Sequence, residues 1–544
     1  MQVLTFEPAP ESEKREAEGP QGFPAAGTVR DGSLVGISPV DERDLPSIAV
    51  SSVEAVRSTV RRARAAQPVW ASLPLSERTR RLRKAAGNML RDRATALRLI
   101  REETGKSEAE ALFSEALGPL DQVNGWAAVV QRAMRPERVS LNPLAFPCKR
   151  ATVEPIPRGV IGAVAPWNFP LATFFRCVFP ALLTGNAIVV KPSEYTPRVA
   201  NWFVSHLQDE LALEVLDAVH GKGEVGRALI DAGIDACTFT GSVASGREVI
   251  AHCARLMIPV NVELGGKDSA IILADCDLDR TIAGVTHWAL SNAGQSCGAI
   301  ELALVDERIA DRFVSRMADA WKRLKAGPTH AAVYDVAPLA HLRQLDAVEE
   351  QVRDALARGA TLVCGGRRTR AGLGYEPTLL SNCDESMAVV REETFGPVLP
   401  VVRVSGIDEA LRITNNSRYG LTASIWTSDT RRAERIAERL EVGTVTINNH
   451  ALTGAIPSLP WSGTRDSGYG VANSRYALST YLRPRTVLVD QASIPDPYWM
   501  PFDDVLSQLG EVLADLQVAR LSGLPKLPWL LYQRIARTRR FYGM

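Results

Sequence analysis

The 544-residue sequence lacks the cysteine pattern of a disulfide-rich or zinc-binding protein. Its cysteines form no CxxC pair and no histidine cluster accompanies them, which argues against a disulfide framework and a structural metal site; they stand at positions 148, 177, 237, 253, 276, 297, 364 and 383. We expect no signal peptide either, because the N-terminus has no basic start or apolar core and is densely charged from Glu11 to Glu18. We therefore expect a cytoplasmic protein that holds no metal.

Long apolar runs and a surplus of either charge are also absent. No apolar stretch reaches the roughly 18 residues of a membrane-spanning helix, and 63 basic side chains nearly cancel 62 acidic ones. Without a net field the chain is not expected to bind nucleic acid. At 544 residues and 46% hydrophobic content, it can instead bury the cores of roughly two or three domains.

The first third of the chain is predicted to be mostly helical. Residues 1–30 are rich in Pro, Gly and Glu and predict a flexible arm. From Ser52 to Ala133 apolar residues recur at helical spacing, with breaks expected at Pro68, Pro74 and Gly105. Two short extended runs follow between positions 138 and 154 and predict a hairpin.

Beyond the hairpin, apolar strands alternate with helices. We predict strands at Val160–Ala165, Ala187–Lys191 and Ala236–Phe239, and helices over Leu171–Leu183 and from Pro197 onwards. Such alternation is typical of an α/β fold with a parallel sheet and crossover helices. The carboxyl ends of these strands are where ligands usually bind.

One cysteine stands out for its chemistry. Cys297 lies thirty-four positions after Glu263. A thiol paired with a carboxylate suits acyl transfer, in which the thiolate attacks a carbonyl and the carboxylate later takes a proton from water. The alternative is a buried cysteine with no reactivity.

Two strand ends carry residues suited to a nucleotide. Gly241, Ser242 and Gly246 form a strand-to-helix step whose free N–H groups can hold a phosphate. Lys191 and Glu194 follow another strand, where they could grip ribose hydroxyls. Taken singly, ordinary helix capping and a solvated turn explain them equally well.

Six ordered motifs together resemble the signature set of the aldehyde dehydrogenase superfamily over about residues 32–490. They are Pro166-Trp167-Asn168-Phe169-Pro170, Lys191-Pro192-Ser193-Glu194, Phe239-Thr240-Gly241-Ser242, Glu263-Leu264-Gly265-Gly266-Lys267, Gly294-Gln295-Ser296-Cys297 and Glu393-Thr394-Phe395-Gly396-Pro397.

The resemblance implies a Rossmann-like NAD-binding domain, an α/β catalytic domain and a β-hairpin oligomerisation element. The domains implied are 31–137 with 158–263 for NAD, 264–466 for catalysis, 138–157 with 467–490 for oligomerisation, and 491–544 as a C-terminal extension. A homodimer or homotetramer is expected.

The resemblance also implies a role for each motif residue. Cys297 would be the nucleophile, Asn168 the oxyanion donor together with the Cys297 backbone N–H, and Glu263 the base that activates water to hydrolyse the thioester. NAD would take the hydride. The residues implied at the cofactor are Pro166, Trp167, Lys191, Ser193, Glu194, Gly241, Ser242, Gly246, Leu264, Gly265, Glu393 and Phe395. A carboxylate at position 194 favours NAD and leaves NADP as the second choice.

The sequence departs from the family pattern behind the base. Many members carry a lysine and a glutamate, considered a proton path, where this chain has Cys177 and Ala472. Their joint absence leaves open how Glu263 sheds its proton.

The substrate is predicted from the residues implied around the thiol, which are Phe169, Phe174, Arg176, Ser296 and Trp461. The aromatic rings favour an aliphatic, long-chain or aromatic aldehyde. Arg176 keeps a short acid semialdehyde open as the alternative, because related enzymes of that class carry a carboxylate-binding arginine there. A third interpretation, of another class, is a catalytically silent structural or binding member.

The chain beyond about Asp490 is unlike the family. It contains an amphipathic stretch from Val505 to Leu521 and, over residues 525–544, aromatic side chains beside arginines. Such a segment can lie on a membrane surface or pack on protein, and we favour packing on protein.

Overall fold

The structure, a computed structural model, describes residues 27–143, 145–328 and 333–544. It divides into two compact units. Unit 1 takes in the described residues up to Ala133 together with Pro157–Arg483, and unit 2 comprises Met134–Ile156 and Pro484–Met544. Most of the predicted arm, 1–30, lies outside the described residues, and its last three residues form a strand.

The strands within these ranges are β1 Thr28–Arg30, β2 Ser33–Val35, β3 Ile48–Ala49, β4 Glu137–Val139, β5 Lys149–Pro157, β6 Val160–Val164, β7 Ala187–Lys191, β8 Leu216–Ala218, β9 Ala236–Thr240, β10 Val260–Glu263, β11 Asp268–Ile272, β12 Ile300–Asp306, β13 Thr361–Cys364, β14 Thr378–Ser381, β15 Val398–Val404, β16 Thr422–Trp426, β17 Thr444–Ile447, β18 Gly468–Tyr469 and β19 Leu482–Asp490.

The α-helices are α1 Val53–Ser72, α2 Leu75–Arg91, α3 Arg93–Thr104, α4 Glu108–Ala111, α5 Pro119–Ala133, α6 Ala172–Leu183, α7 Pro197–Leu211, α8 Gly223–Asp231, α9 Val243–Arg255, α10 Leu278–Leu290, α11 Glu307–Trp321, α12 Leu342–Ala357, α13 Ala388–Arg391, α14 Ile407–Asn416, α15 Thr430–Ala437, α16 Ser474–Ala477, α17 Asp504–Gln517 and α18 Leu527–Phe541. A π-helical turn, Leu112–Ala116, follows α4.

The first large sheet of unit 1 has the order β18-β10-β9-β6-β7-β8. Its strands are parallel except β18, which pairs with β10 in the antiparallel sense. Strands β6 and β7 are apolar and almost wholly buried, as expected of a sheet covered on both faces. The strand order reverses between β6 and β9, and such a switch point is where doubly wound sheets bind ligands.

The second large sheet has the order β13-β14-β15-β12-β11-β16-β17 and is parallel except for the pairing of β13 with β14. It packs an extensive hydrophobic cluster. The chain passes from the first sheet to the second through Leu264–Lys267, directly after Glu263. The linker between the two sheets therefore begins at the proposed base.

The predicted α/β fold is confirmed, and so are the strand at Ala187–Lys191 and the helix from Pro197. The helix breaks at Pro74 and Gly105 are also correct, since Gly105 ends α3 with a left-handed φ of 75°. The predicted break at Pro68 is wrong. Helix α1 continues through it, because Trp70 on the far side is fully buried and its indole N–H donates to the Leu182 carbonyl at 2.8 Å.

Unit 2 contains a three-stranded sheet of order β19-β5-β4 and the helices α17 and α18. The two helices pack through a small core of Val505, Leu509, Val512 and Leu530. The predicted hairpin corresponds to β4 and β5, which pair in the antiparallel sense. Throughout the part of the chain that the structure describes, no helix combines the length and apolarity needed to cross a lipid bilayer.

Candidate active site

Cys297, Glu263 and Asn168 line one cavity of about 700 Å³ in unit 1. Asn168 follows the carboxyl end of β6, Glu263 ends β10, and Cys297 precedes β12. These positions are distant in sequence but meet at the carboxyl edges of the sheets, as ligand sites of such folds do. The structure thus brings the three predicted catalytic residues to one place.

The backbone before Cys297 is tightly constrained. Asn292 and Ala293 both have a φ of 54°, a left-handed conformation that costs free energy for residues with a Cβ. Gly294 follows with a φ of 71°, and a Cβ there would lie 2.2 Å from the Gly396 carbonyl oxygen. Only glycine fits at that position. The turn therefore fixes the direction in which the chain presents the thiol.

The thiol and the carboxylate are in direct contact. Burial raises the pKa of the Cys297 thiol, and the charge of Glu263, which accepts a hydrogen bond from the thiol, raises this pKa further. The guanidinium of Arg176 acts in the opposite direction. Glu263 is itself oriented by the Trp461 indole, whose N–H donates to its Oε1 at 3.1 Å. A carboxylate placed in this way can take the proton of the thiol.

Asn168 is buried with its amide directed towards the turn before Cys297. Its Nδ2 donates to the Gln295 carbonyl at 3.1 Å, which uses one of the two amide hydrogens. The second hydrogen remains for an oxygen atom in the cavity. This is the arrangement that an oxyanion hole requires.

A fully buried ion pair supports Asn168, and the sequence reasoning missed it. Lys106 and Glu115 lie 2.8 Å apart and both side chains are 0% exposed. Lys106 donates to the Asn168 carbonyl, while Glu115 accepts from the Leu171 N–H at 2.7 Å and so caps the start of α6. The pair holds the backbone on both sides of the Asn168 loop.

A second missed carboxylate holds the turn before the thiol. Glu110 accepts from the backbone N–H of Asn292. The Asn292 side chain in turn donates at 2.9 Å to the carbonyls of both Asn168 and Gln295. The only sequence signal for these groups was a charged segment directly after Gly105, which reads equally well as a solvated helix end.

The residues predicted at the cofactor fit a dinucleotide. Ser242 caps α9, whose N-terminal N–H groups can receive a phosphate, and Gly246 packs so closely on Leu264 that a Cβ would lie 2.5 Å from it. Lys191 Nζ lies 3.7 Å from Glu194 Oε2 at the end of β7. Ser193 accepts from the Tyr195 N–H at 3.3 Å, which shapes the same turn.

The remaining predicted cofactor residues come together near the two-sheet linker. A Cβ on Gly265 would lie 2.0 Å from Glu393 Oε1, so only glycine allows this carboxyl so close to the linker. Burial raises the pKa of Glu393 to about 8. Trp167 follows Pro166 in the sequence, and its ring packs edge-on against the Phe395 ring with centroids 5.6 Å apart.

A second buried ion pair holds the Glu393 segment. Lys267 and Glu301 lie 2.9 Å apart and are almost completely buried. Lys267 also donates to the Thr394 hydroxyl at 2.9 Å, and Glu301 accepts from the backbone N–H groups of Thr394 and Phe395 at 2.8 and 2.7 Å. Glu301 thus satisfies two backbone N–H groups, while Lys267 neutralises its charge and holds the Thr394 side chain.

Four of the five predicted substrate residues line the cavity; these are Phe169, Arg176, Ser296 and Trp461. Phe174 does not. It is buried in the core and stacks on Phe203 with centroids 5.2 Å apart. Phe175 lines the cavity in its place, because one step along a helix turns the side chain by about 100°.

Arg176 is already engaged by the protein. It donates to the Gly454 carbonyl at 2.6 Å, and its guanidinium lies 5.6 Å from the Trp461 ring centroid. Within the described residues it forms no ion pair. A guanidinium without a carboxylate partner therefore faces the cavity.

A second, much smaller cavity of about 30 Å³ lies behind Glu263. Its lining includes Cys177 and Ala472, the positions at which the family lysine and glutamate are missing, together with Thr238 and Tyr481. Glu263 also lines the large cavity. Glu263 therefore borders both cavities, as do Thr173, Arg176 and Thr240.

Comparison with known proteins agrees with this geometry. The model of the aldehyde dehydrogenase family matches residues 29–487. A 4,4'-diapolycopene aldehyde oxidase of a Methylomonas species is 35% identical over 472 residues, which are 86% of this chain and 88% of the relative. A putative NADP⁺-dependent succinate-semialdehyde dehydrogenase of Mycolicibacterium smegmatis is 32% identical and covers 84% and 90%.

Solved structures show the same relationship. A putative aldehyde dehydrogenase of Anabaena variabilis has a TM-score of 0.81 at 30% identity and covers 86% of this chain and 100% of its own. Betaine aldehyde dehydrogenase of Staphylococcus aureus in complex with NAD⁺ has a TM-score of 0.81 at 27% identity, with 86% and 94% covered. The chain belongs to the aldehyde dehydrogenase family, and is thus an oxidoreductase that acts on aldehydes.

Replacing Lys106 by Met tests whether the buried ion pair positions Asn168. Glu115 would be left buried without a countercharge, so we expect the free energy of unfolding to fall by about 3 kcal/mol. We expect kcat to fall about 100-fold, because the Asn168 loop loses an anchor. Urea unfolding and steady-state kinetics measure the two effects.

The double variant Lys106→Met with Glu115→Gln separates the loss of stability from the loss of kcat. It leaves no unpaired charge, so most of the lost stability should return, whereas kcat should stay low. A double variant that regains full kcat would contradict the positioning role.

Proposed function

We propose that this enzyme oxidises an apolar aldehyde to a carboxylic acid with NAD, through a thioester on Cys297 that water hydrolyses. The observation that carries the proposal is the convergence of Cys297, Glu263 and Asn168 on one cavity. A thiol, a base in contact with it and a buried amide donor are the three parts that acyl transfer through cysteine requires.

Glu263 acts twice in the proposed reaction. It first takes the proton of the Cys297 thiol, and the thiolate adds to the aldehyde carbon while Asn168 donates to the developing oxyanion. Loss of hydride from this adduct leaves the thioester. After Glu263 has passed the thiol proton on, it takes a proton from the attacking water, the C–S bond breaks, and the acid leaves with Cys297 as the thiolate.

The cofactor is proposed to be NAD, with NADP second. Ser242 and the α9 N-terminus would hold the pyrophosphate, and Glu393 the nicotinamide ribose. When bound, the nicotinamide supplies the hydride acceptor. Glu194, which lies 3.7 Å from Lys191, would repel a 2′-phosphate on the adenosine ribose, and this favours NAD.

An apolar substrate is favoured by the size and lining of the cavity. About 700 Å³ is within the range of sites that bury drug-sized ligands. Apolar side chains dominate its wall; they include Phe113, Phe169, Phe175, Trp288, Leu290, Leu452 and Trp461. The relative from Methylomonas, named for a 4,4'-diapolycopene aldehyde, supports a long substrate.

A short acid semialdehyde is the second candidate. Arg176 faces the cavity without a carboxylate partner, and it could bind the far end of such a substrate. The relatives named as putative succinate-semialdehyde dehydrogenases point the same way. We rank it second because Arg176 already holds the Gly454 carbonyl and Trp461.

The small cavity behind Glu263 is proposed as the exit for its proton. A volume of about 30 Å³ accommodates one water molecule, and the wall offers polar partners in Thr238, Asn261 and Tyr481. Such a water would accept the proton of Glu263 and pass one on towards solvent. This water would relay the proton in place of the lysine and glutamate that other family members carry at the positions of Cys177 and Ala472.

The setting of the enzyme is part of the same proposal. We propose a homodimer or homotetramer in the cytoplasm, because the β4–β5 hairpin resembles the family oligomerisation element. Contact of residues 525–544 with a membrane surface would bring such an enzyme close to apolar aldehydes.

Cys297→Ala tests the central step. We expect no NADH formation with any aldehyde, since no nucleophile remains, and Glu263→Gln should lower kcat by about 10²–10⁴-fold. Cys276→Ala, a half-buried cysteine outside the cavity, serves as the matched control and should retain activity. A parent protein that forms no NADH over a broad aldehyde panel would indicate the silent member instead.

Arg176→Met separates the two substrate classes. An n-alkanal and the ω-carboxy aldehyde of the same length form a matched pair of substrates. An equal loss of kcat/KM for the two substrates would report on the Cys297 thiol, because Arg176 lowers the pKa of that thiol. We expect the parent to prefer the alkanal and the ratio of the two kcat/KM values to change less than about threefold; a selective loss of about 10-fold or more for the acid would favour the semialdehyde.

Ala472→Leu tests the proton exit by filling the small cavity. The first hydride transfer precedes hydrolysis and needs no exit, so we expect a burst of NADH of normal size followed by steady-state turnover at least about 10-fold slower. Cys177→Ala leaves the cavity open and should behave as the parent does. Stopped-flow absorbance measures both phases. Unchanged turnover in Ala472→Leu would remove the exit from the proposal.

A further inference from the structure

The C-terminal helix pair exposes an unusual number of large apolar side chains. Trp529 and Tyr532 on α18 are 56% and 73% exposed. At the end of the chain, Phe541 and Tyr542 are exposed as well, and the latter shares a shallow pocket with Trp499. Exposed aromatic clusters of this kind mark interaction surfaces.

These rings lie in a part of the sequence that contains basic residues and no acidic ones. After Asp515 the chain contains no acidic residue, and its basic residues there are Arg520, Lys526, Arg534, Arg537, Arg539 and Arg540. Three of them form ion pairs, since Arg520 lies 3.8 Å from Asp515, Arg534 lies 3.1 Å from Asp503 and Arg537 lies 2.6 Å from Asp504. Lys526, Arg539 and Arg540 are exposed and form no ion pair within the described residues.

Aromatic and basic side chains share one face of α18. Trp529, Tyr532, Arg539 and Arg540 are exposed, whereas Leu530, Arg534 and Thr538 are buried. Residues three and seven positions after Trp529, which are Tyr532 and Ala536, lie on the same side of the helix as Trp529. Arg539 and Arg540 continue this side one turn further on. We call Trp529, Tyr532, Arg539, Arg540, Phe541 and Tyr542 the C-terminal surface.

We propose that the C-terminal surface binds the surface of an anionic lipid bilayer. Aromatic rings insert at the level of the lipid headgroups, and arginine side chains pair with lipid phosphates while their stems cover apolar surface. Anionic lipid attracts each nearby basic side chain by about a fivefold gain in partitioning. The proposal goes beyond the aldehyde chemistry and does not depend on it.

The charge of the surface favours a bilayer over a second copy of this chain. In a two-fold symmetric contact the same patch faces itself, so the exposed arginines of both copies would lie close together without acidic partners. Such a juxtaposition of like charges is costly. An anionic membrane instead presents the opposite charge over the whole area.

The test uses the full-length protein and sedimentation with vesicles. We expect it to sediment with mixed phosphatidylcholine–phosphatidylglycerol vesicles, but weakly with phosphatidylcholine alone, and to be released by high salt. Arg539→Glu with Arg540→Glu should weaken binding by about 25-fold or more. Trp529→Ala with Tyr532→Ala should also abolish sedimentation, because the rings supply the insertion.

Matched controls lie in unit 1. Arg57→Glu with Arg132→Glu reverses two exposed charges there, and Met257→Ala removes a side chain that is 91% exposed; both variants should bind as the parent does. Failure of the parent to bind the anionic vesicles at low salt would overturn the proposal. So would an oligomer, measured by light scattering without lipid, that the Trp529 and Tyr532 substitutions dissociate while vesicle binding persists.

Discussion

The site depends on two buried ion pairs, because its loops carry backbone groups that water cannot reach. Lys106 with Glu115 holds the loop of Asn168, and Lys267 with Glu301 holds the segment of Phe395. Each pair loses hydration on burial, and that cost is offset only where further hydrogen bonds use the remaining donors and acceptors. Here those partners are backbone groups of the loops and the Thr394 hydroxyl, so each ion pair also fixes the geometry of the site.

Burial also hinders ionisation of the nucleophile Cys297. It raises the pKa of the Cys297 thiol, as does Glu263, so the resting pair is a thiol that donates to a carboxylate. A base that takes the thiol proton is unable to accept a proton from water until it has passed the first one on. Disposal of that proton is therefore as necessary to the proposed cycle as the nucleophile. This gives the small cavity at Cys177 and Ala472 its significance.

The alternation of apolar strands and helices predicted the α/β fold, and the resemblance of six ordered motifs to the family predicted that Cys297, Glu263 and Asn168 meet in one site. Sequence reasoning missed Lys106 and Glu115, because a charge in a helical region is usually solvated and only tertiary packing buries it. It also assigned Phe174 to the cavity instead of Phe175, because the sequence alone does not determine which face of α6 lines the cavity. Burial of Trp70, which keeps α1 intact through Pro68, is likewise a tertiary effect.

The C-terminal helix pair also contains a buried charged residue that binds backbone carbonyls, but there it stabilises the packing of two helices. Its apolar core is small, and Arg534, which is 0% exposed, supplements it by donating to the Pro497 and Trp499 carbonyls and pairing with Asp503. The acidic residues at the start of α17 are thereby occupied inside the pair. They do not compensate Arg539 and Arg540, so the helix pair gains stability and retains an uncompensated positive surface. An anionic bilayer can neutralise that surface, which the protein itself leaves positive.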